Sequence, residues 1–246
     1  MTLIAGLPNA EATSRKMLLP VSQGLKAIHL LNGSVEKAAR NFALGGPDGA
    51  VIGNPVVGAG FVTFQGLASY IQTQIEETTE ATIFCAARSL DTFADDAHRP
   101  MLYGTFQSPA AAGGGNTFGI SAAMLSSVQI NGYAARGTST SDDTSTPAAI
   151  SAGNTASWAL YSQAVPNISP TVLRDHTNNL IDVDESSVAR FRSTGKFRIG
   201  SGFTQFGGSC QLALWVYYDR VLSTTERDDT VAKLRQYLST YQGITV

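Results

Sequence analysis

The sequence predicts an all-β protein, an antiparallel two-sheet jelly-roll sandwich with one short C-terminal helix, and three observations carry that expectation. Short β-branched or aromatic segments recur between Gly, Pro, Asp and Ser turn signals along most of the chain. Helical periodicity is almost missing before residue 224. Near the end, the run Cys210 to Tyr218 is apolar on both alternating faces, with Leu212, Leu214, Val216 and Tyr218 on one and Ala213, Trp215 and Tyr217 on the other. A strand that needs cover on both sides belongs in the middle of a packed sheet.

Taken in order, residues 1–19 show little periodicity, end at Leu18-Leu19-Pro20, and read as an arm for docking or oligomerisation. Residues 20–246 read as one domain. Strands are expected over 25–31, 61–64, 69–74, 79–88, 101–106, 117–122 and 127–133, and again over 154–163, 171–175, 179–184, 188–192, 196–200 and 210–218. Ser34 to Arg40 has the makings of a brief helix. Gly113-Gly-Gly115 reads as a hairpin loop, and the stretch from Gly137 to Pro147, nearly devoid of apolar anchors, as an exposed, mobile loop. Ser223 followed three residues later by Glu226 is a capping box. Val231, Leu234, Leu238 and Tyr241 then recur at helical spacing until Gly243 offers a stop.

A chain of 246 residues with 43% apolar content can bury a large core, and an all-β sandwich of this size is commonly one domain. The net charge of −2 comes from 17 basic and 19 acidic residues with no long run of either sign, which argues against nucleic acid or anionic lipid as partners. No apolar run approaches the roughly 18 to 20 residues that span a bilayer, so membrane insertion is not expected. Met1 to Pro8 lacks a basic region and a long apolar core, so no secretory signal is expected either. Cys85 and Cys210 lie in two predicted strands without any CxxC or Cys/His spacing; they read as small buried hydrophobes, with a disulfide between them left open.

The turn Tyr218-Asp219-Arg220-Val221-Leu222-Ser223, set between a closing strand and a capped helix, resembles the end of the concanavalin A-like lectin/glucanase superfamily, in particular its laminin-G-like and pentraxin-like branch. Phe197 to Gly200, Leu31-Asn-Gly33, Gly45 to Gly49, Phe64-Gln-Gly66 with Tyr70-Ile71, and Ala81 to Arg88 fall in the order of that family's strands, so the likeness spans roughly residues 20 to 246. The resemblance implies a jelly roll and identifies a fold more than an activity. It also implies a cysteine partner near Trp158, where this chain has Ala156 and Ser157 instead.

Glucanases of the superfamily place three carboxylates at alternate positions of one strand so that acid and nucleophile flank the scissile bond. The nearest match is Asp182-Val-Asp184-Glu185, whose third position is Ser186, so no enzyme activity is expected. His29, His98 and His176 are scattered, and no nucleophile-elbow or phosphate-loop pattern accompanies them. No cofactor is implied beyond calcium, which the resemblance raises: candidate ligands are Asp91, Asp95 and Asp96 in one loop, or Asp142 and Asp143 in another, and turn-forming aspartates are the plainer reading of both. For sugar binding, the candidate aromatic platforms are Trp158, Tyr161, Trp215 and Tyr217, although alternation sets both tryptophans among aliphatic strand neighbours, as core residues would be.

These readings combine into an expected function: a non-catalytic bacteriophage virion protein, tail-associated, that attaches to host-surface glycan and assembles as a homo-oligomer alongside other virion proteins. The alternatives are a structural virion module, capsid decoration or tail accessory, making only protein contacts, and a glycan hydrolase.

Overall fold

The computed structural model describes residues 16–151 and 153–246. Among these the chain runs β1 (Leu25–Leu30), α1 (Val35–Ala39), β2 (Ala50–Ile52), β3 (Val56–Gly58), β4 (Phe61–Gln65), β5 (Tyr70–Glu76) and β6 (Ala81–Ser89). It continues through β7 (Met101–Gly104), β8 (Ser108–Pro109), β9 (Asn116–Thr117), β10 (Ile120–Ser126), β11 (Gln129–Ala134), β12 (Ala148–Ser151) and β13 (Ala159–Val165). It closes with β14 (Val172–Asp175), β15 (Leu180–Val183), β16 (Lys196–Ile199), β17 (Ser209–Tyr218) and α2 (Thr224–Tyr237). The strands that sequence patterning did not single out, β2, β3, β8, β9 and β12, have four residues or fewer, too few to display a period.

Two antiparallel sheets form, as expected. One has the order β15-β14-β13-β6-β17-β4-β3, with β1 also paired to β17; the other has the order β12-β11-β10-β7-β16-β5-β2. The chain changes sheet at almost every long connection, from β4 to β5, β5 to β6, β6 to β7 and β16 to β17, which locks the layers together. Between them lies a core that includes Phe64, Ile83, Tyr103, Ile120 and Phe197, with Trp215 at its centre. The Trp215 ring lies 5.6 Å from Phe197, 5.9 Å from Tyr217 and 6.4 Å from Tyr103. No helix among the described residues is long and apolar enough to cross a membrane.

Strand β17 departs from strict alternation. Its register against β6 slips between Leu212 and Leu214, so Leu212 shares the inter-sheet face with Trp215 and Tyr217, whereas Ala213, Leu214, Val216 and Tyr218 face outward. The bulge sits where one flank of β17 passes from β4, paired up to Leu212, to β1, paired from Leu214 onward. An extra residue lets the strand bend between two partners. Its carbonyl is not orphaned: the Leu31 amide and Gln242 Nε2 each donate to Ala213 O at 2.9 Å.

The outward face of β17 is apolar because α2 covers it. Val231, Leu234, Tyr237 and Leu238 pack there with Phe84, Leu214, Val216 and Tyr218, joined by Met17, Leu19 and Phe42. The capping box forms as expected, with Ser223 Oγ accepting from the Glu226 amide and Glu226 accepting from the Ser223 amide. Gly243, at φ 66°, takes the left-handed conformation that stops the terminal turn. Every residue of the preceding turn is engaged. Tyr218 Oη donates to Val21 O at 3.0 Å, Asp219 pairs with Lys26 at 2.9 Å, and Arg220 grips both oxygens of Glu226 at 2.9 and 2.6 Å. Gly24, at φ 78°, allows this close approach, since a Cβ there would lie 2.8 Å from Asp219 Oδ1.

Of the arm expected over residues 1–19, residues 1–15 lie outside the described residues. Lys16 to Leu19 belong to the fold, for the Met17 amide donates to Phe42 O at 2.9 Å and Met17 and Leu19 are buried in the layer under α2. The strand expected over 188–192 does not form. The amides of Arg190 and Phe191 donate to Asn167 and Ala135, on different segments, and Arg190 turns inward to a buried carboxylate, so no continuous ladder develops. The loop from Gly137 to Pro147 is exposed over much of its length and folds around Asp142, whose carboxylate accepts from the amides of Thr138 and Ser139 at 3.0 and 2.6 Å. The Thr138 hydroxyl, donating to Asp142 Oδ2 at 2.8 Å, and then those amides hold the carboxyl down at about 2.

Candidate functional site

Helix α2 and the C-terminal residues cover only part of the outward face of the larger sheet, and beyond them runs a row of side chains that is partly exposed except at Gln211, which is buried. Pairing brings Thr63 of β4, Gln211 of β17 and Arg88 of β6 side by side, and Trp158 enters β13 next to Arg88, since Ala159 pairs with Ala87. Phe61, two residues before Thr63, falls on the same face. The Arg88 guanidinium stands 5.0 Å from the Trp158 ring centre and 5.8 Å from that of Phe61, and the two rings are 5.8 Å apart. Arg88 Nε donates to Gln211 Oε1 at 2.7 Å, and Gln211 Nε2 donates to Thr63 Oγ1 at 3.2 Å. Phe61, Thr63, Arg88 and Trp158 are all half-buried. The result is a fixed aromatic platform edged by amide, hydroxyl and guanidinium groups, the combination that sugar faces and hydroxyls fit.

Of the four aromatic residues expected to bind sugar, only Trp158 reaches this surface. Tyr161, Trp215 and Tyr217 are corrected to core residues: they are 2%, 0% and 0% exposed and belong to the layer between the sheets. The bulge at Ala213 left Trp215 and Tyr217 pointing inward while sending the next apolar set under α2. The Tyr217 hydroxyl, at the floor of an open cleft of about 460 Å³ between Lys26 and Thr78, is taken by the Thr78 amide at 3.1 Å and its hydroxyl at 2.7 Å.

The acidic candidates are dispersed. Asp91 accepts from the Ser209 and Thr92 amides, at 2.7 and 2.8 Å. Asp95 pairs with His98 at 2.7 Å, which lowers the carboxyl and raises the imidazole, and Asp96 pairs with Arg99 at 2.6 Å. Asp143 accepts from the Phe118 amide, away from the Thr138 and Ser139 amides that Asp142 holds. Among the described residues no three His, Cys, Asp or Glu side chains converge as a metal site, so the calcium set is not assembled. Asp182 accepts from the Ala149 amide at 2.6 Å and buried Asp184 from Thr171 and Ser186, so both serve the backbone. Cys85 and Cys210 are buried free thiols, and burial pushes both well above the usual range.

Sequence reasoning missed Phe61, Thr63, Arg88 and Gln211. A signal existed for two: alternation in Phe61-Val-Thr-Phe-Gln65 puts Phe61, Thr63 and Gln65 on one face, with Val62 and Phe64 facing the core. Arg88 offered a third, as the one charged residue of a β6 that otherwise carries only apolar and hydroxyl side chains or a thiol.

No model of a known protein family matches the sequence, and no curated protein does. Solved structures do. The receptor binding domain of botulinum neurotoxin C/D mosaic serotype aligns with a TM-score of 0.61 at 9% identity, over 92% of this chain and 55% of that one. The binding domain of botulinum neurotoxin DC in complex with SialylT gives 0.59 at 7% identity, over 87% and 52%. Trypanosoma rangeli sialidase in complex with sialic acid gives 0.59 at 11% identity, over 88% and 34%. The chain therefore spans about a third to a half of the length of these structures, and the likeness is one of fold, a β-sandwich. None of the three points to a bacteriophage.

Proposed function

We propose that this chain is a non-catalytic lectin-like module that binds glycan on the open face of its larger sheet, with Trp158 as the stacking platform. The observation that carries this reading is the half-exposed Trp158 ring beside Phe61, backed by Arg88, Gln211 and Thr63 at hydrogen-bonding distances from one another. A sugar ring laid on the indole places its hydroxyls against those polar edges. The neurotoxin binding domain in complex with SialylT and the sialidase in complex with sialic acid are of related fold and engage sugars, which supports the reading without fixing the ligand. Absence of catalysis is part of the proposal, since Asp182 and Asp184 are committed to main-chain amides. So are membership of the laminin-G-like or pentraxin-like branch and a place on a phage particle, where a glycan-reading face would serve attachment to the host surface.

A glycan array followed by titration calorimetry tests this. Binding that falls at least tenfold in Trp158→Ala, with the thermal midpoint kept, is the expected result. Array silence, or binding untouched by that substitution, overturns it. A second reading, a module making only protein contacts, draws on β15, an edge strand with Leu180, Ile181 and Val183 36%, 50% and 42% exposed. Retained particle or partner assembly in a chain that binds no glycan favours it.

A further inference from the structure

We infer that the saccharide taken by this face is acidic, its carboxylate received by Arg88; this rests on the glycan-binding reading above and specifies its ligand class. Arg88 is held in place without being neutralised. Its position is set by the Trp158 and Phe61 rings, 5.0 and 5.8 Å from its Cζ, and by the bond from Nε to Gln211 Oε1 at 2.7 Å. Among the described residues it makes no ion pair, and its Nη1 and Nη2 find no acceptor there. Asp91, just past the end of β6, is turned instead to the Ser209 and Thr92 amides.

A guanidinium tied down at Nε alone keeps its Nη1 and Nη2 donors free, and that edge matches the two oxygens of a carboxylate in a bidentate pair. Cation–π contact leaves the full positive charge in place. Because the fork is already oriented by Gln211 and the rings, little side-chain freedom remains to be lost when an anion arrives. A neutral hexose on Trp158 would leave those donors to water, whereas a uronic acid or another carboxylated sugar engages ring and fork together. Gln211 matters to this balance. As an amide it orients Arg88 and carries no charge, where a carboxylate in its place would neutralise the arginine from within.

The test compares one oligosaccharide in two forms, glucuronic acid-terminated and glucose-terminated, with a glucose 6-sulfate-terminated form to separate carboxylate from general anion binding. The expected result is at least tenfold tighter binding of the glucuronic acid form, weakening with added salt and exceeding that of the sulfate form. Arg88→Gln should bring the acidic and neutral forms level, and Gln211→Glu should do the same with the arginine still present. Equal binding of acidic and neutral forms by the unaltered protein overturns the inference and leaves the glycan reading standing. Equal or stronger binding of the sulfate form overturns the carboxylate assignment. Binding of none of the three forms, with silence across the array, overturns both.

Discussion

Arg190 Nη2 donates to Glu77 Oε2 at 2.8 Å, and both side chains are wholly shielded from water. The other oxygen of the Glu77 carboxylate accepts from the Ile120 amide at 2.6 Å and from the Thr105 hydroxyl, and Oε2 also takes the Ser193 amide at 3.1 Å. Arg190 in turn reaches Ala135 O at 2.6 Å. One carboxylate thus ties the end of β5 to β10 and to the strand-less segment around residue 190, which explains why that segment is ordered without a ladder.

Removing one partner of such a pair leaves a buried charge uncompensated, so Glu77→Ala should lower unfolding stability by about 3–5 kcal/mol. Urea denaturation read by tryptophan fluorescence measures it. Glu77→Gln, which keeps an acceptor for the amides, should cost less. A loss under ~1 kcal/mol for the alanine variant would mean that water reaches Arg190.

Stability should fall with acidification before most carboxylates titrate. Burial lowers His29 to about 4 despite its contact with Ala38 O at 3.0 Å. His176, packed near Ser162, is also held at about 4, by burial first and then by Arg227, Arg235 and Arg174. Both lie below the ordinary value of roughly 6.5 expected in the unfolded chain. The unfolded state therefore gains protons first, so the contribution of each group is complete above about pH 6.5 and is lost as the pH falls toward 4. For fully buried His29 the loss is on the order of 3 kcal/mol. Denaturation midpoints between pH 7 and 4.5 should show the decline, and His176→Gln should make it shallower.

The two cysteines should be chemically silent until the sandwich opens. Cys85 and Cys210 are free and buried on the inter-sheet face, and burial disfavours their thiolates. Ellman's reagent at pH 8 should find no reactive thiol in the native protein and both in guanidinium. Fast reaction of either in the native state would show that the layers part readily.

The sequence by itself determined the sandwich class, the central place of the Cys210–Tyr218 strand and the capped helix, because these rest on local signals: alternation, turn chemistry, and the Ser223–Glu226 box. It also raised Trp158. Only the tertiary structure decided which aromatic residues meet solvent. A one-residue bulge at Ala213 reversed the faces of β17, and it exists because β4 and β1 share one flank of that strand, a pairing that no local pattern encodes. The patch itself joins Phe61, Arg88, Trp158 and Gln211 from four segments far apart in the chain. They become neighbours through antiparallel register alone, so their meeting is a property of the assembled sheet.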